Sequence, residues 1–275
     1  MVNRNLADKI PRDKKIEDGI ICLNHSIQHQ SFKYLTNRSN KVGIRIKTKR
    51  HICIPLVWLV KRLLKPYEPI LILFELDTWK YRSNEFKELL VDIYEHIIVK
   101  KEVKKCAKLP EDTNEIVKLI SKAIQQDERN IALLFLNVDS KPKEYLDKLK
   151  SFWDGLKTHS YVFMLWVDYE DNNDWRSVYN FPKKVNDSWD SNTLLDLDIQ
   201  DTFDIEDIKF WVKSDYCYFN QNFPDLIYSE TAIENIINII LDDSQTGEPE
   251  AILRAIYQQY QLDWESNRKK WQNFQ

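Results

Sequence analysis

Three aspartates offer the clearest route to chemistry in this chain. Asp77, Asp139 and Asp168 each close a strongly apolar run: LILFELD, ALLFLNVD and FMLWVD. Carboxylates at the carboxyl ends of neighbouring parallel strands would meet at the sheet edge where open α/β folds hold ligands. Three of them could hold Mg²⁺, which takes a few carboxylates together with water and a phosphate. That is the constellation of a metal-dependent nuclease or phosphatase, and Asp196 and Asp198 could add ligands. Aspartate is also an ordinary residue for leaving a strand, turning the chain or capping a helix. Asp77-Thr78 and Asp139-Ser140-Lys141-Pro142 both read well as strand-to-helix turns. The expectation is therefore no metal and no cofactor, with the aspartate triad as the alternative.

The second place for chemistry is the turn after the first strand. A phosphate-binding loop there would read GxxxxGK[ST], its backbone N–H groups cradling the phosphates. The chain reads KVGIRIKTKRHICIPLVWLVKRLL, with no glycine between Gly43 and Gly155 and with β-branched Ile52 and Ile54 where backbone must approach a ligand. Lys47, Thr48, Lys49 and Arg50 keep a residual anion-attracting character at a helix N-terminus. ATP hydrolysis through this loop is not expected. Residues 41–65 hold eight Lys/Arg and no Asp/Glu, in a chain whose net charge is −3. Such a basic stretch raises nucleic-acid binding as a further alternative, although charge patterning speaks first to solubility and steering.

Other constellations are weak. His25 and His29 have helical i, i+4 spacing but lack the glutamate of HExxH and a third ligand nearby. Cys22, Cys53, Cys106 and Cys217 form no CxxC or CxH pair. Trp175 and Trp189 stand in a polar stretch after the third apolar strand, and exposed loop aromatics can anchor a partner. The N-terminus has no apolar signal-peptide core and no apolar run approaches the ~20 residues of a membrane span. A cytoplasmic protein without a disulfide framework is expected, with no membrane partner.

These residues need a scaffold, and the periodicity supplies one. Alternating β-branched residues predict a strand over 41–47, and continuous apolar runs predict buried strands over 69–76, 130–138 and 161–167, with a short one over 194–199. Helices are expected over 19–37, 55–65, 84–99, 113–126 (capped by Thr113), 141–157 and 204–213. Two more should follow at the C-terminus, parted by Gly247-Glu248-Pro249. The implied class is α/β, a three-layer, mostly parallel sheet with a helical C-terminal extension. Boundaries are expected at 1–18 for a polar lead-in, 19–213 for the α/β domain and 214–275 for the helical extension.

The order of segments carries a resemblance. Leu23-Asn24, Gln28 and Phe32 precede a strand; a turn and helix ending LVKRLL follow in the position of a degenerate P-loop. Then come LLFLNVDSKPKEYLDKLKSFWDGL, FMLWVDYE and PEAILRAIYQQYQLDWE. Together, over roughly 19–275, these resemble the inactive STAND modules of bacterial and cyanobacterial conflict systems, AAA-like signal-transduction NTPases that have lost the phosphate loop. The resemblance implies a P-loop-NTPase-like fold without catalysis. It implies a scaffold or sensor role in antiviral defence, with effector or sensor proteins as partners. It places Asp139 where active relatives keep a Walker B acid and Asp168 after the strand with a sensor position. The family's peptidase, TIR or effector-associated segments do not occur in these 275 residues, which reads either as a stand-alone partner or as one module of a longer protein.

Overall fold

The computed structural model describes residues 12–23, 25–48, 53–81, 85–101, 109–126, 128–169, 181–185, 189–199, 202–203, 205–213, 231, 234–235, 237–240 and 248–274. They form two compact units, one within 30–51 and 63–198, the other within 1–29, 52–62 and 199–275. The N-terminal lead-in is more than polar: α1 (Arg12–Ile20) is helical, with Ile16 and Ile20 buried.

The first unit holds the sheet. Strands β1 (Lys41–Thr48), β2 (Ile70–Glu75), β3 (Ile131–Leu136), β4 (Val162–Tyr169) and β5 (Leu195–Asp198) stand in the order β2-β3-β4-β1-β5. All four neighbour pairs are parallel. The mostly parallel α/β sheet expected is the one observed. β3 and β4 are buried on both faces throughout. β2 is not, and Leu73 is 37% exposed, because β2 is an edge strand with an open side.

One face is covered by α4 (Phe86–Lys101), α5 (Thr113–Gln125) and α6 (Lys143–Gly155). Phe86, Leu90, Ile93 and Ile97 repeat at helical spacing on α4 and pack, with Ile116 and Ile120 of α5 and Leu149 and Trp153 of α6, onto Leu133, Phe135, Met164 and Trp166. On the opposite face Phe32, from α2 (Ser26–Thr36), lies 5.3 Å from Phe163 between ring centroids, and Tyr67 sits 5.1 Å from the same ring. The helix expected over 19–37 is replaced by α1, which ends at Ile20, and α2, which begins at Ser26. Each fully buried side chain of this size contributes roughly 1.5–3 kcal/mol.

The N-terminus of α5 is capped by Asp112, whose carboxylate accepts the Asn114 N–H at 2.9 Å, and Thr113 is already the first helical residue. Asp112→Ala is expected to lower stability by about 1 kcal/mol. Urea unfolding reads this directly, and an unmoved midpoint would show that the cap contributes nothing.

The second unit is helical where described. α1, α3 (Ile54–Leu64), α7 (Ile205–Lys213), α8 (Pro249–Gln259) and α9 (Trp264–Gln272) supply its elements. Ile16 and Ile20, Trp58, Ile208 and Trp211, Ile252 and Ile256, and Trp264 and Trp271 share one core. Two of its indoles are tied down: Trp271 Nε1 donates to the Tyr257 hydroxyl at 3.0 Å and Trp211 Nε1 to the Gly19 carbonyl at 3.0 Å. Pro249 opens α8 at a first-turn position, consistent with the break at Gly247-Glu248-Pro249. α9 has too polar a composition to announce itself, and its start is fixed by Asp263 accepting from the N–H groups of Glu265 and Ser266.

Candidate functional site

β1 lies inside the sheet with β4 on one side and β5 on the other, so its carboxyl end is the natural crevice of the fold. Alternation along β1 puts Val42, Ile44 and Ile46 on one face and Lys41, Gly43, Arg45 and Lys47 on the other. Parallel register sets Arg45 opposite Trp166 and Asp196, and Lys47 opposite Asp168 and Asp198. Arg45 and Asp168 are 3% and 0% exposed, so a charge on either must be compensated. Arg45 Nε donates to Asp168 Oδ2, and its Nη1 reaches Asp196 Oδ1 at 3.4 Å. The Phe181 ring covers the guanidinium, 4.9 Å from centroid to Cζ.

One buried cation therefore holds two carboxylates. Burial pushes the Asp196 carboxyl above its ordinary range, against the opposing pull of Arg45 and Lys47 and with the added repulsion of Asp198. At the rim Lys183 pairs with Asp198 at 3.3 Å, both exposed, a contact worth little in water. Among the described residues in contact here, Arg45, Lys47 and Lys183 stand against Asp168, Asp196 and Asp198. Lys47 is half-buried and Thr48 buried; Lys49 and Arg50 lie outside the described residues.

Asp77 and Asp139 follow β2 and β3 and Asp168 is the penultimate residue of the adjacent β4, and each has a different engagement. Asp77 is exposed and accepts from Asn137 Nδ2 at 2.6 Å. Asp139 Oδ1 accepts the Tyr169 N–H at 3.3 Å, tying the turn after β3 to the end of β4. Asp168 is committed to Arg45. Among the described residues no group of three or more His, Cys, Asp or Glu side chains is placed to hold a metal ion.

Beyond β2, Tyr81 donates to Asp92 Oδ2 at 2.6 Å while Lys80 approaches the same oxygen at 2.5 Å. Burial and the Asp92 charge hold the Tyr81 phenol protonated, well above its usual range. The amino end of the sheet has its own buried cation. Lys41 Nζ donates to the Trp153 carbonyl at 2.8 Å and to Asn192 Oδ1 at 2.7 Å, capping α6, and burial lowers its affinity for the proton.

Three cations of the basic stretch 41–65 make internal contacts. Lys41 and Arg45 point inward in the sheet unit, while Lys61 belongs to the helical unit and donates to the Lys270 carbonyl. His25 and His29 do not share a helix face: His25 precedes α2 with φ 60°, is 1% exposed, and burial lowers its pKa to about 3. Trp189 is half-buried, its Nε1 donating to the Thr193 carbonyl at 3.0 Å, and Trp175 lies outside the described residues.

Arg45 and Lys41 were the functional-looking residues missed from the sequence. A signal existed: KVGIRIK must be buried on both faces if it sits inside a parallel sheet, so its charged positions demand partners.

No protein-family model matches the sequence, and no curated protein matches it. Among solved structures it is similar to RIF2 of Saccharomyces cerevisiae, at 11% identity and TM-score 0.39 over 86% of this chain and 80% of that one. It is similar to domain III of the Thermotoga maritima replication initiation protein DnaA, at 11% identity and TM-score 0.39 over 94% and 92%. A third is the Aeropyrum pernix ORC1 protein in complex with DNA, at 8% identity and TM-score 0.36 over 86% and 66%. At this level of similarity none lends a ligand or an activity to this chain. Among the described residues no helix is long and apolar enough to cross a membrane.

Proposed function

We propose that the chain is a catalytically silent NTPase-fold module of the inactive STAND kind. In this reading it serves as a cytoplasmic protein-interaction scaffold or sensor in bacterial conflict signalling, with effector or sensor proteins as partners. The observation that carries the reading is the carboxyl end of β1. A phosphate-binding loop needs glycine backbone and a free cation at that point. Here Arg45 is buried and consumed by Asp168 and Asp196, and the chain continues Lys47-Thr48-Lys49-Arg50 without glycine. An incoming triphosphate would meet carboxylates already neutralising the nearest buried cation. The segment order described above supplies the STAND character. Nucleic-acid binding is less favoured because Lys41, Arg45 and Lys61 serve internal contacts.

Calorimetry with ATP, ADP and GTP, each with and without Mg²⁺, tests the proposal. At ~100 μM protein, absence of heat excludes affinities much tighter than millimolar, about −4 kcal/mol. Silence is the expected result. A Mg²⁺-dependent heat abolished by Lys47→Ala would overturn the reading and make the basic turn a nucleotide site.

A further inference from the structure

The two edges of the sheet are finished differently. β5 is short, carries Asp196 and Asp198, and has its outer side occupied where the Asp196 N–H donates to the Pro182 carbonyl at 2.9 Å. Shortness, charge and a covering segment are the devices that keep an edge from pairing with another chain. Of these β2 has only Glu75, at its last position. Its six residues read ILILFE, and among the described residues nothing pairs with its open side.

The pairing with β3 fixes the backbone directions. The Ile70 N–H donates to the Asn130 carbonyl at 2.9 Å and the Leu76 N–H to the Leu136 carbonyl at 3.1 Å. Directions alternate along a strand, so the N–H and C=O groups of Leu71 and Leu73 point the other way, to the open side. The Pro69 carbonyl and the Glu75 N–H point there too, across trans peptides. The Glu75 carbonyl is already engaged: it accepts the Thr78 N–H at 3.3 Å and the Thr78 hydroxyl at 2.9 Å. Leu73 and Glu75 are exposed and Leu71 is half-buried, all on the face opposite Ile72 and Phe74.

This edge is complementary to itself. With a twofold axis through the sheet at Ile72, two β2 strands run antiparallel and each Leu71 stands opposite Leu73 of the second copy. Leucine meets leucine on one face, and Ile70 meets Phe74 on the other. At the ends the Glu75 N–H meets the Pro69 carbonyl. Pro69, which has no N–H to give, faces the Glu75 carbonyl that is already engaged, so neither end leaves an orphan. Moving the axis to Leu73 would set Leu71 against Glu75 and aim its N–H at that engaged carbonyl. The match of ends belongs to this sequence paired with itself, and it singles out a second copy over a foreign strand.

We propose that the open edge of β2 pairs antiparallel with β2 of a second copy of this chain, joining two five-stranded sheets into one across a twofold axis at Ile72. The inference concerns assembly and stands apart from the nucleotide reading above.

Sedimentation velocity of the full chain from about 1 to 100 μM tests it. The mass should rise from 33.1 kDa toward twice that value and stop there. Leu73→Lys sets a charge into the interface and should weaken the dimer about tenfold or more, with an unchanged circular dichroism spectrum showing that the variant is folded. Ile72→Cys reads the register independently. Residues on the axis form a non-hydrogen-bonded pair with Cα atoms about 4.5 Å apart, within reach of a disulfide. Mild oxidation of that variant should give a covalent dimer joined at position 72, identified by peptide mass spectrometry, and Leu73→Cys should give none joined at position 73.

A chain that stays monomeric across the range would overturn the proposal and leave the edge to a strand of another protein. So would a folded Leu73→Lys variant that dimerises as tightly as the parent, growth beyond a dimer, or covalent dimers joined at position 73 and not at 72.

Discussion

Arg45→Met is expected to lower the stability of the sheet unit by about 3–5 kcal/mol, because it leaves a fully buried carboxylate without its cation. Asp168 is 0% exposed, so the penalty is the desolvation of an uncompensated charge and not merely one lost contact. Urea unfolding followed by tryptophan fluorescence reads it out. Arg45→Met with Asp168→Leu should recover most of the loss, since a buried pair replaced by apolar residues of similar size is often neutral. A midpoint for Arg45→Met within about 0.5 kcal/mol of the parent, the range of an ordinary surface substitution, would contradict a desolvated cluster.

Asp196 should behave differently from Asp168 although both face the same guanidinium. Its carboxyl is pushed up in the folded state, chiefly by burial, so folding favours the protonated form. The contribution is fully present below the unfolded carboxyl pKa and is lost as pH rises through the folded value. Asp196→Asn should therefore flatten the decline of stability across the mildly acidic range while leaving neutral-pH stability unchanged or slightly higher. The contrast identifies Asp168 as the obligatory partner and Asp196 as the surplus charge.

Trp153→Ala is the second large effect, expected at roughly 3–5 kcal/mol. The indole is fully buried, donates from Nε1 to the Ser191 carbonyl at 3.1 Å and lies 5.0 Å from the Lys41 ammonium. It also explains a glycine. A Cβ on Gly43 would sit 3.0 Å from Leu194 Cγ and 3.3 Å from Trp153 Nε1, so a side chain there would force Leu194 or the indole to give by a few tenths of an ångström. Trp153→Phe keeps most of the volume and removes the donor, and should cost only about 1–3 kcal/mol. Thermal unfolding of the two variants separates packing from hydrogen bonding; equal losses would mean that the cavity is not the dominant cost.

The strands and most helices were legible because apolar periodicity is a local property. KVGIRIK, ALLFL and VFMLWV each declare a strand without reference to anything else in the chain. What escaped depends on neighbours. β2 reads as a buried strand like β3, and its half-exposed face follows only from its place at the edge. α1 looks polar because its apolar positions are few, and Ile16 and Ile20 find their partners in the last quarter of the sequence. The candidate site was half legible. The aspartates were visible, but Arg45 was counted as part of a basic stretch when alternation on a central strand required it to be buried and paired.

The helical unit draws its core from both termini, and this has a consequence for vectorial synthesis. The sheet unit has all its strands once Asp198 has left the ribosome. Ile16, Ile20 and Trp58, made early, must wait for Trp264 and Trp271. At roughly 5–20 residues per second that interval lasts several seconds. Through it the nascent chain carries a finished sheet together with an orphaned apolar surface, the stage at which a chaperone or a neighbouring nascent chain has most to bind.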